Sequence, residues 1–358
     1  MAYVTDEAVR WAYRLILGRE PETEHVVRQA TSTLTSLDEL RLGLLQSQEF
    51  VQGQKDLAKN AQSPFFHYSA AFDPVDVMRR HAVPDLQPKP GFLLNFLGVA
   101  IDPKFFPSIL ATRSGQVEGI PIPANWHADI AEWGAALRAV DLSQDSFTVI
   151  ELGCGWGCWL NNTGVAARTM GRRVEVIGIE ADAHHLQFAE EALTTNGFEA
   201  DQISLHRGVA AAHTGIALFP KQNLPGSSWG NEPIFNASTQ QCEQAVKSGA
   251  FDQVTMVPLD VLIGDRLRID LLHVDIQGGE ADLVEQSLNL LSERVAYMVI
   301  GTHSKQIEGR LYDVLLNAGW TLEMERAAIF AIVDGVPHIR VDGVQGWRNL
   351  RLFSTRQR

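Results

Sequence analysis

In "TVIELGCGWGCWLN", residues 148–161, a β-branched strand runs into three glycines spaced two residues apart. An acid, Glu151, stands just before the glycines, at the end of that strand. Glycines at such a turn permit positive φ values and remove Cβ atoms from the path of a ligand. The stretch therefore predicts a strand-to-helix turn that a ligand approaches closely.

Strands and helices alternate from this turn onward. After a helix over 158–170, further strands are predicted in "VEVIGIE", "ISLHRGVA", "IDLLHVD" and "AYMVIGT", and a final pair over 320–333 and 337–341. The central strands are apolar throughout, which is typical of a parallel sheet covered by helices on both faces. The expected fold class is α/β, a doubly wound, mostly parallel, seven-stranded Rossmann-like sheet with right-handed crossovers. Ligands of such sheets bind at the carboxyl ends of the strands.

The rest of the sequence divides into two further regions. The chain has 358 residues, which predicts a main domain with an accessory region. Residues 1–60 carry apolar residues at helical spacing and predict a small N-terminal helical domain. Residues 61–125 are rich in proline and aromatic residues, which predicts an ordered connector laid over the next domain. The α/β domain then spans residues 126–358.

Composition and charge argue against several classes of protein. The formal net charge of −13 disfavours sequence-independent nucleic-acid binding and docking on anionic membranes. No apolar run approaches the roughly 20 residues of a membrane-spanning helix, and the first residues lack the pattern of a signal peptide. The three cysteines show no pairing pattern, which is typical of a reducing compartment. We expect a cytoplasmic protein, and the sequence leaves a homo-oligomer open.

The glycine turn distinguishes between two classes of nucleotide. Dinucleotide-binding turns prefer G-x-G-x-x-G, whereas here the third glycine comes two residues after the second, and the carboxylate of Glu151 would repel a pyrophosphate. That carboxylate suits a ligand with an ammonium or sulfonium charge. The second strand ends in Glu180, which can accept hydrogen bonds from both hydroxyls of a ribose. A ribose and a positive centre together describe S-adenosylmethionine (SAM); the alternative is that the glycines only make a tight turn.

The segments "ELGCGWG", "IGIEAD" and "IDLLHVDIQGGEADLVE" resemble the FkbM-type family of class I SAM-dependent methyltransferases, over residues 145–325. The match is densest between 257 and 280, at Leu259, Asp260, Ile269, Asp270, Leu272, Asp275, Gly278 and Glu280. The chain departs from the family with His273 in place of a lysine and Gln277 in place of a glutamate, so no role is carried over to those two. The resemblance implies methyl transfer from SAM, usually to a hydroxyl of a sugar, polyketide or related natural product.

A second, weaker resemblance concerns the first 50 residues. They are similar to a small helical domain of unknown function in bacterial surface and glycan-associated proteins, which favours a glycan acceptor.

We expect SAM to bind across the glycine turn, with its ribose on Glu180 and its adenine near 208–211. The predicted cofactor-binding residues are Glu151, Gly153, Cys154, Gly155, Gly157, Glu180, Ala181, Val209, Ala210 and Asp275.

The candidate catalytic residues follow strands four and five. His303 ends "VIGTH" and could act as a neutral imidazole base, and Asp275 could orient it; the alternatives are an inert histidine and a helix cap. His273 lies two residues before Asp275 and so on the same face of its strand, which leaves a metal triad of Asp275, His273 and His303 as a minority alternative. We expect no obligatory divalent metal. Cys154 and Cys158 lack partner ligands for zinc.

The acceptor is expected to meet two loops. The polar, glycine-rich insert over 221–239 contains Ser228 and Trp229, and long inserts of this kind often cover binding sites. Trp126 and His127 precede the first helix of the domain and could close the other side. These aromatic side chains could equally anchor their loops to the core.

These patterns together predict a SAM-dependent O-methyltransferase that acts on a hydroxyl of a sugar, glycan or related natural product. The acceptor is then a small molecule or glycan, without nucleic-acid or membrane partners. The alternatives are an N-methyltransferase or polyketide O-methyltransferase and, from other classes, a nicotinamide-dependent oxidoreductase or a non-catalytic SAM-binding module.

Overall fold

The computed structural model describes residues 4–52, 63–222 and 224–353. The chain divides into two compact units, residues 1–66 and 67–358. Within the described ranges no helix is long and apolar enough to cross a membrane.

The first unit is helical, as the sequence predicts. Its helices are Asp6–Ala12, continued by a π-helical turn over Tyr13–Leu17, then Glu24–Thr33 and Leu37–Leu45. Thr5, Thr23 and Ser36 cap them by accepting a hydrogen bond from the backbone N–H three residues further on. The small core consists of Val4, Val9, Val27, Leu40 and Leu44. The part of the predicted helical region over 53–60 lies outside the described residues.

The second unit contains the strands. In chain order they are β1 (Ser69–Ala70), β2 (Leu93–Leu94), β3 (Ala100–Ile101), β4 (Ser146–Leu152), β5 (Arg173–Glu180), β6 (Ile203–Arg207), β7 (Val209–Ala211), β8 (Gly215–Pro220), β9 (Phe251–Pro258), β10 (Leu271–Val274), β11 (Tyr297–Thr302), β12 (Thr321–Arg326), β13 (Ile329–Val333), β14 (Val336–Val341) and β15 (Gly343–Arg348).

Its α-helices are Pro74–His81, Pro107–Leu110, Ile130–Leu142, Cys158–Thr169, Ala183–Thr195, Thr239–Ser248, Leu259–Ile263, Glu280–Arg294 and Lys305–Asn317. Short 3₁₀ turns cover Pro64–Phe66, at the end of the first unit, and Pro103–Phe105, Ala200–Gln202 and Leu350–Leu352.

The central sheet has eight strands in the order β1-β12-β15-β11-β10-β4-β5-β6. Strands β6, β5, β4, β10 and β11 pair in parallel, and β15 runs antiparallel to both of its neighbours. Side chains alternate across β4, so Phe147 and Val149 join one apolar core while Ile150 and Leu152 join the other. Helices therefore cover both faces, and the doubly wound α/β class is confirmed.

Two details of the predicted sheet are wrong. The two-residue strand β1 adds an eighth strand at one edge. The predicted strand over 320–333 is two strands, and the predicted strand over 337–341 pairs only with β13 in a separate hairpin. The strand that enters the sheet is β15, whose sequence "GVQGWR" gives a weak strand signal because of its glycines. Gly346 is needed there, because a Cβ would lie 3.0 Å from Met324 and from the hydroxyl of Tyr297.

The irregular stretch between the third and fourth parallel strands has structure of its own. Strands β7, β9 and β8 form a small three-stranded sheet, with β7 parallel and β8 antiparallel to β9. Residues 67–125 pack on the central domain through buried side chains that share one core with Trp133 and Trp159. They include Met78, Leu93, Phe96, Leu97 and Phe105.

Candidate active site

The glycine turn after β4 has the predicted backbone. Gly153, Gly155 and Gly157 have φ values of +74°, +53° and +73°. A Cβ at Gly153 would overlap the carbonyl oxygen of Asp275 after β10, and a Cβ at Gly155 would lie 2.7 Å from the indole of Trp229. The backbone is therefore closely approached at two glycines, and in each case another part of the chain approaches it.

Glu151 faces the helix that follows the turn. Its carboxylate accepts hydrogen bonds from the N–H groups of Trp159 (3.2 Å) and Leu160 (3.0 Å), and its side chain is buried. Burial raises the pKa of Glu151 to about 7, because the backbone donors and the nearby His273 only partly offset the loss of solvent. The carboxylate thus lies against the first-turn N–H groups of the helix Cys158–Thr169, and the predicted contact of Glu151 with the positive centre of a ligand stays a prediction.

Glu180 connects the turn to the end of β5. One oxygen accepts from the N–H of Gly155 (2.9 Å) and the other from the N–H of Asp182 (2.8 Å). Burial raises its pKa to about 7 as well. A carboxylate offers about four acceptor positions, so Glu180 keeps acceptor capacity for a ligand.

The other predicted cofactor residues are small and buried. Cys154, Ala181, Val209 and Ala210 are each at most 8% exposed. Burial raises the pKa of the Cys154 thiol well above its ordinary value, so it is neutral and unreactive. The predicted adenine segment belongs to β7 of the small sheet.

The insert after β8 lies along the carboxyl edge of the central sheet. Trp229 sits between two rings: its centroid is 3.9 Å from that of His185, with planes 2° apart, and 5.5 Å from that of Phe106, with planes 10° apart. A Cβ at Gly230 would lie 3.6 Å from the amide of Gln277. The Ser228 hydroxyl bonds within the insert to Asn231, at 3.3 Å. The insert therefore covers both the glycine turn and the loop after β10.

Trp126 and His127 differ in their surroundings. Trp126 packs beside Phe106 and Trp156, with centroids 5.9 and 6.4 Å away. His127 is half-buried and packs against Trp133 and Trp159 of the core, and its Nε2 contacts the thiol of Cys158. Burial lowers the pKa of His127 to about 3, so the ring is neutral. The prediction that His127 binds the acceptor is not supported by this position, which matches the anchoring alternative.

His303 is held between two carboxylates. Its Nδ1 donates to Glu280 at 2.8 Å, and its Nε2 lies 3.3 Å from Oδ1 of Asp275. Burial alone would lower the pKa of His303, but the two carboxylates raise it to about 10. The predicted neutral base is therefore wrong for this state of the site: His303 is an imidazolium at neutral pH.

Asp275 is the exposed member of this cluster. Its Oδ1 also accepts from the Gln277 amide at 3.0 Å, and 42% of its side chain is accessible. Although burial opposes it, the imidazolium of His303 holds the pKa of Asp275 below its ordinary value. No described side chain bonds to its second oxygen, so Asp275 is a carboxylate with one oxygen free for an acceptor.

The predicted alternative metal triad does not assemble. His273 points toward the helix Ile130–Leu142, where its Nε2 is 3.0 Å from Glu132, and its ring stacks on Trp159 at 5.4 Å. Asp275, Glu280 and His303 do converge, with donor atoms within 4.8 Å of one another. Because each ring nitrogen of His303 already faces a different carboxylate, a metal ion would have to displace a proton from the ring. The donor set suits a bound proton better, and the absence of an obligatory metal stays a prediction.

Three residues of the site were missed by the sequence analysis. Glu280 was noticed only as part of a motif, yet it holds His303. His185 lies in the first turn of the helix after Glu180, a position that could have indicated a ligand contact. Phe106 had no signal beyond its place in the aromatic segment "PKFFP".

Solved structures give distant likenesses. The human methyltransferase 10 domain containing protein is 14% identical, with a TM-score of 0.33, over 64% of this chain and 88% of that one. The ribosomal protein L11 methylase of Lactobacillus delbrueckii subsp. bulgaricus is also 14% identical, with a TM-score of 0.34, over 70% and 93%.

A sequence relative is far more similar. The "Putative methyltransferase" of Jannaschia sp. (strain CCS1) is 47% identical over 260 residues, which are 73% of this chain and 93% of the relative. No model of a known protein family matches the chain. The identity and the coverage are decisive: the chain belongs to the same methyltransferase family as the Jannaschia protein and is an enzyme of that class.

Proposed function

We propose that the protein is a SAM-dependent O-methyltransferase that acts on a hydroxyl of a sugar, glycan or related natural product. The observation that carries the proposal is the turn of three positive-φ glycines at the carboxyl edge, joined to Glu180 by the N–H of Gly155. In doubly wound sheets this edge is where nucleotide ligands bind.

The residues of the turn fit SAM. Gly155 and Gly157 present backbone without Cβ atoms, and each oxygen of Glu180 keeps acceptor capacity for a ribose hydroxyl. A sulfonium near Glu151 and Glu180 would favour their charged forms, since burial otherwise raises the pKa of both to about 7. The indole of Trp229 must leave Gly155 before a ligand can approach the turn.

The acceptor would meet Asp275 at the neighbouring strand end. When bound, SAM would supply an electrophilic methyl group, with its neutral sulfur as the leaving group. The free oxygen of Asp275 accepts a hydrogen bond from the acceptor hydroxyl and takes its proton as the C–O bond forms. A weak base suffices, because the oxygen becomes strongly acidic once it is methylated. His303, as an imidazolium, holds the other oxygen of Asp275 and so fixes the direction of the free one.

An amine is the second candidate acceptor, favoured by the charge of the site. Asp275, Glu280 and Asp342 face the single imidazolium of His303, with Asp342 4.0 Å from its Nε2. The neighbouring cation Lys305 is paired with Glu308 at 2.6 Å. The site therefore carries an excess of negative charge, which attracts a cationic acceptor and disfavours a phosphorylated one.

The test is a transfer assay with methyl-labelled SAM and a panel of neutral sugars, amino sugars, polyketide alcohols and nucleotide-sugars, read by mass analysis. We expect label on oxygen in neutral or aminated acceptors, and a strongly reduced rate of labelling with Asp275→Asn. Label on nitrogen alone would contradict the proposed O-methylation and support an amine as the acceptor. Absence of SAM binding in calorimetry would contradict the cofactor assignment itself.

A further inference from the structure

The indole of Trp229 occupies a slot with flat walls. His185 forms one wall, in parallel contact at 3.9 Å, and Phe106 forms the other at 5.5 Å. The edge of the indole rests on Gly155, so closely that a Cβ there would be 2.7 Å from Cζ3. An indole and a purine are both flat bicyclic rings of similar thickness. A slot that holds an indole between two rings therefore has the shape to hold a purine.

The slot adjoins the groups that the proposed function assigns to the ribose. Gly155, which lies under the indole, donates its N–H to Glu180. The helix Ala183–Thr195 begins three residues after Glu180 and is capped by Asp182. His185 lies in its first turn. A base attached to a ribose on Glu180 would therefore reach this slot without crossing another element.

One wall has an unused polar atom. The Nε2 of His185 is buried and has no hydrogen-bond partner among the residues that the structure describes. Buried polar atoms are rarely left without a partner. Burial lowers the pKa of His185, so the ring is uncharged, and an uncharged ring can stack on a nucleobase and bond to its edge or to the ribose.

The segment that carries Trp229 is held weakly. Over residues 224–231, every hydrogen bond among the described residues stays within the segment: Ser227 to Leu224, Ser228 to Asn231 and Trp229 Nε1 to the carbonyl of Gly226. Packing alone holds it against the site, through Trp229 and through Gly226, which lies against the carbonyl oxygens of Lys104 and Phe105. Moving the segment therefore breaks ring contacts but none of the hydrogen bonds that the rest of the described domain makes.

We propose that the slot between Phe106 and His185 is the adenine site of the cofactor, that Trp229 fills it when the cofactor is absent, and that the 224–231 segment moves out as the cofactor enters. This inference rests on the proposed use of SAM. It replaces segment 208–211 as the predicted adenine contact. It also gives Trp229 the role of an internal competitor, so that removing the indole tightens cofactor binding.

The experiment measures the binding of S-adenosylhomocysteine and adenosine to the full chain by calorimetry. We expect Trp229→Ala to bind both about tenfold more tightly than wild type, the scale of one lost aromatic stack. We expect His185→Ala to bind both about tenfold more weakly, since a base loses one stacking partner. Trp11→Ala, at an exposed tryptophan of the first unit, is the control and should change neither affinity.

Fluorescence gives a readout that does not depend on affinity. The emission of Trp229 should change when S-adenosylhomocysteine is added to the wild type, and Trp229→Phe should lose that change. Unchanged or weaker binding by Trp229→Ala, with normal binding by wild type, overturns the inference and leaves the proposed function standing. If neither wild type nor Trp229→Ala binds S-adenosylhomocysteine or SAM, the proposed cofactor fails and the adenine site fails with it.

Discussion

Two pairs of acids stand at the same edge of the sheet and have opposite electrostatics. At the glycine turn, Glu151 and Glu180 accept from backbone N–H groups alone within the described part of the chain, and the pKa of each rises to about 7. After β10, Asp275 and Glu280 hold the imidazolium of His303, and the pKa of Asp275 falls. Backbone donors orient a carboxylate without neutralising it, whereas an imidazolium does both. The acids of the turn are thus only partly compensated by backbone donors and the nearby His273, while the other side has its own cation.

The largest effect is expected on turnover, at the site after β10 where His303 is the cation. Asp275→Asn removes the carboxylate that we assign to the acceptor proton, so turnover should fall by about 10²–10⁴-fold. SAM affinity should change little, because the asparagine keeps its shape and lies beyond the turn. Steady-state kinetics and calorimetry on the same preparation separate the two quantities.

A matched acid serves as the control for that experiment. Asp282 lies on the next helix and pairs with Arg310 at 2.6 Å, and 65% of its side chain is accessible. Asp282→Asn should keep full turnover. If Asp275→Asn also keeps it, the residue only supports the loop after β10.

The contact that joins the two sides predicts the next largest effect. A methyl group at Gly153 would meet the Asp275 carbonyl, and the φ of +74° adds strain. Gly153→Ala should therefore lower the free energy of unfolding by roughly 3 kcal/mol, since the backbone of Asp275 has to shift. Gly171→Ala is the matched control, because its φ is +78° and nothing lies within 4 Å of the added methyl. Gly171→Ala should lower the free energy of unfolding by about 1–2 kcal/mol, which is the conformational cost alone. If urea unfolding gave equal losses for the two variants, the contact between Gly153 and the Asp275 carbonyl would be absent in solution.

The two sides also differ in the pH range over which they affect stability. Folding raises the pKa of Glu151 from 4.5 to about 7, so its stabilising contribution is full below pH 4.5 and is lost as pH rises to about 7. Folding raises the pKa of His303 from 6.5 to about 10, so its contribution is full below pH 6.5 and is lost as pH rises through 10. Glu151→Gln should remove only the share of the first slope that belongs to Glu151, because Glu180 titrates over the same range, and His303→Gln should remove the second slope.

Urea titrations at several pH values test this difference, with an effect on the order of 3 kcal/mol for Glu151 and on the order of 5 kcal/mol for His303. The difference in unfolding free energy between wild type and Glu151→Gln should change between about pH 5 and 7 and be flat above. For His303→Gln the change should fall between about pH 7 and 10. Identical profiles for both variants would show that the two sides do not titrate separately.

What the sequence could predict depends on whether the signal is local. The positive φ values of Gly153, Gly155 and Gly157 follow from their spacing after an apolar strand, and the alternation of strands and helices gives the parallel sheet. These are properties of short segments. Strand β15 was missed because its glycines weaken the local signal, although long-range packing makes it a central strand.

The failures at the site have a single physical cause. The pKa of His303 depends on Glu280 and Asp275, which are distant in sequence, and nothing in "VIGTHS" indicates two carboxylate partners. In the same way, the spacing of His273 places it on the face of Asp275 but does not reveal that Glu132 from another helix holds it. Residue type and strand position give the location of a group, whereas its charge depends on tertiary neighbours.

The smallest expected effect tests how far the charge of the acceptor side extends. Asp342 lies 4.0 Å from Nε2 of His303, and 57% of its side chain is accessible. Water screens an exposed pair of this kind to about 0–1 kcal/mol, so Asp342→Asn should lower the pKa of His303 by well under one unit. Asp275→Asn should lower it further, because Asp275 is closer and less exposed. NMR titration of the His303 ring in both variants measures the two shifts directly and needs no acceptor. A larger shift from Asp342→Asn would mean that Asp342, and not Asp275, is the main partner of Nε2, and the free carboxylate oxygen for the acceptor would then have to be sought on Asp342.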